Sequence, residues 1–390
     1  MLDRPCGVRF GGPLPTLADE YANGLEVVAP PGSTFAYSNH GFATLGQIVE
    51  DVSGMPLDRY LREHLFRPLG MTATDLARTP PIAARLATGY ALASDGPRPV
   101  HDRDWLGAGG GGVYSTVRDL GRYAVALLQG GANEHGSVLR PSTLATMFER
   151  HYETDPALPA LGLAFFVTDV GGHRVLAHDG ILPGFNSHLS VVPDAGLGLI
   201  ALTNGSSGAM RWIPEEMDGL HRRLLGVERQ EADPAVPHHP EIWPEIVGRY
   251  ELPPRVSDLR GRLAMGGLEV LVRGGRPMIR LRLPVPALWR GLPLRPDDER
   301  DPRAFRVDLA RFGIGQVRLR FRRTGTGRTV IHTDLGGQPI SFEPVVRAGS
   351  RRRRAIGAAA AAVVAAGLLA RASRRRAGAT GVRSSAGVGS

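Results

Sequence analysis

The apolar residues of this chain repeat with a helical period up to about residue 160 and with a period of two beyond it, a switch that limits the folds open to it. In the first part Phe42, Leu45, Ile48, Val49 and Val52 fall at spacings of three and four, the stripe of a helix that buries one face. Gly54 is placed to end it. A second helix opens at Pro56, repeats Leu57, Leu61 and Leu65, and stops at Pro68-Leu69-Gly70-Met71. A third follows the glycine run 109–112. Thr116 with Asp119 reads as a capping-box variant, Leu120, Tyr123, Leu127 and Leu128 form its buried stripe, and Gly130-Gly131 closes it. Residues 141–151 read as a further short helix. Then 161–168, 174–178, 187–192 and 197–202 alternate as four strands joined by glycine turns, close enough in sequence for an antiparallel meander. An amphipathic helix over about 211–225 can lie across that sheet. The expected class is α/β: an antiparallel sheet with flanking helices and a helical subdomain placed before the strands.

A proline-rich stretch over 228–244, holding Pro234, Pro237, His238, His239 and Pro240, reads as a linker after a first domain over 1–227. Residues 245–346 read as a β-rich accessory domain. Its runs Met278-Ile279-Arg280-Leu281-Arg282-Leu283 and Arg318-Leu319-Arg320-Phe321-Arg322 give each strand one wet and one dry face. Residues 347–390 form an Arg/Ala-rich basic tail, in which the uncharged run 355–370 lies between Arg351 to Arg354 and Arg374 to Arg376. Sixteen residues as helix span roughly 24 Å, short of the ~30 Å hydrocarbon core. Two readings of the tail stay open, a membrane-associated helix and a solvent-exposed Ala-rich segment, so localisation stays open between the cell envelope and the cytoplasm.

Charge and cysteine content remove several classes. The formal charge of +9 lies in the tail, where ten Arg and no Asp or Glu follow from Arg347 onward. The first 346 residues sum to −1, which argues against a nucleic-acid-binding face. All 47 cationic side chains are Arg, so no lysine of this chain can serve as base, Schiff-base former or phosphate clamp. The single Cys6 excludes an internal disulfide and a cysteine metal cluster.

Chemistry is carried by short motifs in a fixed order. Tyr37-Ser38-Asn39 stands just before the first helix, and His178-Asp179-Gly180 ends a predicted strand ahead of Pro183-Gly184-Phe185. Pro68-Leu69-Gly70-Met71, the 109–112 run and Asp119-Leu120 lie between them. Singly each has a plainer reading. Tyr37 would be a packed aromatic, Ser38 a structural hydroxyl, His178 a hydrogen-bonded strand histidine, and His238-His239 linker residues. The glycine run lacks the Gly-Lys-Ser/Thr of a phosphate loop and reads as a turn passing close to a cleft.

Together, over roughly residues 20–226, they resemble the β-lactamase-related serine hydrolases, penicillin-binding-protein-like enzymes that include class C β-lactamases, DD-peptidases and esterases. The resemblance implies a β-lactamase/transpeptidase-like fold and hydrolysis of an amide or ester through an acyl-serine intermediate, with no cofactor and no metal. The partner it implies is a small-molecule or peptide substrate (β-lactam, peptidoglycan peptide or ester). It makes Tyr37 the base, Asn39 a hydrogen-bonding group for the substrate or the nucleophile's partner, and His178 a positive or donor group across the cleft. Gly180 would leave room for substrate along the strand edge. The backbone N–H of Ile181 would be half of an oxyanion hole, worth roughly 3 kcal/mol.

The family's first motif, Ser-x-x-Lys, is absent, because the chain has no lysine and only 36 residues precede Tyr37. The expectation is a domain incomplete at its N-terminus, without its nucleophile, and inactive as a 390-residue chain. A non-catalytic protein that binds cell-wall peptides or a partner, and an envelope-anchored scaffold, are the alternatives.

Overall fold

The computed structural model describes residues 7–9, 16–22, 24, 29–93, 95–105, 107–206, 212–229, 233–253, 267–281, 289–310 and 315–345. Helix α1 (Asn39–Ser53) starts at Ser38, whose hydroxyl accepts from the Gly41 N–H at 3.0 Å, and ends at Gly54 in the left-handed region at φ 67°. Its orientation reverses the expected one. The buried side is the small one, His40, Ala43 and Gly46, while Leu45, Ile48 and Val52 are 55%, 50% and 83% exposed. The small side allows the glycine run to lie directly on the helix backbone. Helix α2 (Leu57–Leu61) widens into one π turn over Arg62–Phe66 and buries Phe66, Leu69 and Met71 against Ala126 of α3 (Val117–Leu128). At the start of α3 only half of the expected capping box forms. The Thr116 hydroxyl accepts from Asp119 N–H, but the Asp119 carboxylate turns instead to the Ala73 N–H at 2.7 Å, the Thr74 hydroxyl and Arg122. Helix α4 (Pro141–Phe148) packs Leu144 and Phe148 into the same core as α3.

Six strands follow in sequential antiparallel order: β1 (Tyr152–Glu153), β2 (Ala160–Leu161), β3 (Phe166–Val170), β4 (His173–Leu182), β5 (Phe185–Val192) and β6 (Leu197–Thr203). The expected strand over 161–168 is broken, because Ala164 sits at φ 68°, where an L residue leaves the ladder. Conversely, β4 continues past His178 to Leu182. Because faces alternate along each strand, Leu176 and Val191 meet α3 and α4. Val170, Val175 and Val192 lie on the other face, with Leu225 of α5 (Trp212–Leu225). The fold is that of β-lactamases and transpeptidases, with mixed small sheets: strand 205–206 runs parallel to the 90–93 strand.

The C-terminal sheet has nine strands, all paired antiparallel. Its two edge strands, Leu292–Pro293 and Arg295–Pro296, are separated in sequence by Leu294 alone. The sheet must therefore curl until its edges meet, nearly a barrel. Tyr250, Phe305, Phe321, Ile331 and Phe342 fill it, and Ile242 and Ile246 plug it from a short helical segment within and just after the stretch read as a linker. Among the described residues no helix is long and apolar enough to cross a membrane, and the run 355–370 lies outside them.

Candidate active site

Three separate stretches of chain meet at one part of an open cavity of about 1980 Å³ that continues along the sheet to α5 and the C-terminal strands. The first is the entry to α1, with Tyr37 and Asn39. The second is Gly110 to Tyr114 of the glycine run and its continuation. The third is the outer half of β4, from Ala177 to Leu182.

The glycine run lies directly against the backbone around Asn39. A Cβ built on Gly109 would lie 2.4 Å from the Phe42 carbonyl oxygen, and one on Gly110 would lie 2.7 Å from that of Asn39. Only glycine allows two backbones to approach this closely. Strand β3 pairs with β4 only over His173–Ala177, so from His178 to Leu182 one edge of β4 has no ladder partner among the described residues. Such an edge offers backbone N–H and C=O groups to an extended ligand. Ile181 stands there at 61% exposure. Gly180 is constrained from within the sheet as well, since its Cβ would fall 2.3 Å from the Ser187 hydroxyl oxygen across the strand pair.

Tyr37 and His178 face each other with ring centroids 6.4 Å apart. Phe166 stacks on His178 at 5.8 Å and 27°, and Phe35 meets Phe166 edge-on. The Phe35 N–H in turn donates to the Tyr152 hydroxyl at 3.1 Å. This aromatic set ties the approach to Tyr37 to the strand that carries His178. Burial pushes the His178 pKa down, against the opposing pull of Asp179. At neutral pH this favours the uncharged imidazole. Tyr114, also in the cleft, donates to Asp102 at 3.3 Å, and burial with that carboxylate pushes its pKa up to about 12. Among the described residues no three His, Cys, Asp or Glu side chains are grouped as metal ligands.

Phe166, Tyr152 and Tyr114 were not legible as site residues, because their contacts depend on strand register and loop course. A depressed histidine pKa means that the folded protein resists protonation, so this share of stability is complete above ~6.5 and is lost as pH falls. The thermal midpoint is expected to drop between pH 7.5 and 5, with part of the drop removed in His178→Gln, as a pH series of melting curves would read.

The fold and the arrangement of the cleft define a β-lactamase-type hydrolase scaffold. A family model described as Beta-lactamase matches residues 8–217, and the chain belongs to that family. It is 31% identical to penicillin-binding protein 4 of Amycolatopsis lactamdurans, over 57% of this chain and 61% of that one. It is 27% identical to the D-alanyl-D-alanine-carboxypeptidase/endopeptidase AmpH of Escherichia coli K12, over 48% and 49%. It is 28% identical to the unguisins hydrolase ungD' of Aspergillus campestris, over 46% and 35%. In each case the chain spans less than two thirds of the relative's length. The crystal structure of SurE shares the fold, with a TM-score of 0.52 at 22% identity over 82% of this chain and 71% of that one.

Proposed function

We propose that this chain carries the acid–base and substrate-positioning part of a serine hydrolase that cleaves amide or ester bonds through an acyl-serine intermediate. The observation that carries the reading is the meeting of Tyr37, Asn39 and His178 beside the unpaired edge of β4 in a member of the Beta-lactamase family. In this reading Tyr37 removes and returns the nucleophile's proton, Asn39 holds the substrate or the nucleophile's partner, and neutral His178 donates across the cleft. Ile181 N–H would polarise the scissile carbonyl, and Gly180 keeps the edge clear. The division into a hydrolase domain over 1–227, a linker over 228–244 and an accessory domain over 245–346 belongs to the same proposal. So does a substrate that is a peptide or small amide, in keeping with a relative named as a D-alanyl-D-alanine carboxypeptidase.

The 390 residues hold no lysine and therefore no Ser-x-x-Lys, so none of them is assigned as the nucleophile. The outward stripe of Phe42, Leu45, Ile48 and Val52 is an exposed apolar surface. The 390-residue chain is expected to give no serine-dependent turnover of nitrocefin or a p-nitrophenyl ester. A longer product translated in frame from upstream DNA and carrying Ser-x-x-Lys is expected to turn over, and to lose about 10²–10⁴-fold in kcat on Tyr37→Phe. Turnover by the short chain, or an unaffected Tyr37→Phe variant of the long one, would refute the assignment. The missing lysine also favours a second reading, a non-catalytic peptide-binding protein. Saturable binding of an acyl-D-Ala-D-Ala peptide without product, together with an upstream sequence lacking Ser-x-x-Lys, would establish it.

A further inference from the structure

On the face of the sheet opposite α3, four polar side chains form a continuous chain that the proposed chemistry does not use. His188 Nδ1 lies 2.6 Å from an Asp179 carboxylate oxygen, His188 Nε2 lies 2.9 Å from Ser190 Oγ, and Ser190 Oγ lies 2.9 Å from His221 Nε2. Asp179 neighbours His178 on β4, His188 and Ser190 alternate along β5, and His221 projects from α5. Asp179 keeps 36% of its side chain exposed, whereas His188, Ser190 and His221 are buried. The connectivity Asp–His–Ser is that of a hydrolase triad, but Ser190 has no exposed surface and a second histidine occupies its oxygen.

We propose that Asp179, His188, Ser190 and His221 form an acid-sensitive latch that holds α5 against the strand bearing His178 and releases the helix when a second proton enters. The proton count supports this. An ionised Asp179 can only accept, so His188 Nδ1 donates to it. Ser190 has one proton and two ring nitrogens in reach, so it donates to one ring and accepts from the other. One proton on the two facing Nε2 atoms therefore completes every bond, and the rings meet near edge-on with centroids 6.2 Å apart. A further proton adds a positive charge and puts an N–H on both facing Nε2 atoms, so that the proton of Ser190 loses its acceptor in a buried space.

The groups around His221 leave that charge poorly compensated. Burial holds its pKa down, and His188 on β5 adds to this, while Asp218 and the Met217 carbonyl on its own helix oppose it. Asp218 is already shared with Arg222 and Arg229. Asp179 reaches the group only through His188, Asp169 of β3 is exposed and occupied by the Gly172 N–H, and β6 has no titratable side chain. Protonation thus favours the released helix, so the latch is closed above ~6.5 and opens as pH falls. The inference does not rest on the hydrolase reading, because it concerns how a strand and a helix are held together.

The test is amide hydrogen exchange of the 212–225 helix in the full chain between pH 7.5 and 5, corrected for the intrinsic rate. Protection is expected to fall several-fold as pH drops below ~6.5, the ordinary histidine value. His221→Gln, which can still donate to Ser190 but cannot titrate, is expected to keep the helix protected at both pH values. An unchanged slope in His221→Gln, or its loss in His178→Gln instead, would overturn the proposal. So would wild-type protection that does not vary with pH. If His221→Gln does not fold, side-chain 15N spectra of the wild type decide: the helix must open with the midpoint of His221, and a different midpoint refutes the latch.

Discussion

Asp297→Ala is expected to cost the C-terminal sheet about 3–5 kcal/mol, enough to unfold it under mild conditions. Asp297 has 3% of its side chain exposed and takes Arg306 Nε on one carboxylate oxygen at 2.6 Å and Arg320 Nη1 on the other at 2.8 Å. Both guanidinium groups are themselves largely buried, and Arg306 also donates to Gln316 at 2.9 Å. Removing Asp297 takes away the carboxylate that both largely buried cations share. The penalty therefore comes from uncompensated burial, and the net worth of the ion pairs themselves is much smaller. This gives an internal control. Replacing Asp297, Arg306 and Arg320 together by apolar residues of similar volume should recover most of the lost stability, because no stranded charge remains. Urea unfolding followed by far-UV circular dichroism measures both. A single-site loss below about 1 kcal/mol, the level of an exposed pair, would show that solvent reaches the triad.

The contrast with a neighbouring pair is informative. Arg322 reaches from the barrel to the buried Asp155 in the loop after β1, and also to Asp301. That contact joins the two sheets across 167 residues of sequence. The alternation of Arg318, Arg320 and Arg322 in the sequence marks a polar face, but it does not say that the face turns inward onto carboxylates from elsewhere. Periodicity tells which residues share a face and leaves open what covers it. Helix α1 shows the same limit: its stripe of Phe42, Leu45, Ile48 and Val52 was readable, while its burial was not. The missed clue was on the opposite side, where Ala43 and Gly46 make room for another backbone. Likewise His188 and Ser190 alternate legibly on β5, but only the packing of α5 turns them into a buried network. The convergence of Tyr37, Asn39 and His178 was readable because short motifs carry it. Phe166 and Tyr152 were not, because β-strand register and a loop hydrogen bond bring them in.

Gly109→Ala is expected to displace the entry to α1 and with it both Tyr37 and Asn39. The new methyl would fall 2.4 Å from the Phe42 carbonyl oxygen and 3.0 Å from the backbone of Gly46. These are backbone atoms within a helix, so no rotamer change can relieve the contact, and the glycine run and α1 must separate. Overpacking of this kind costs ~1–3 kcal/mol, and the backbone-on-backbone contact argues for the upper end. At roughly 2–4 °C per kcal/mol for a domain of this size, the thermal midpoint should fall by several degrees. Gly111→Ala is the matched control. Its Cβ would meet nothing within 4 Å, and its φ of 162° is extended backbone that any residue adopts, so its midpoint should not move. Gly109→Ala also separates stability from site geometry. If the run sets Asn39 in place, Gly109→Ala weakens binding of a cleft ligand at temperatures where it is still fully folded. Unchanged affinity would mean that Asn39 is placed by its own helix, with the glycine run only lying alongside.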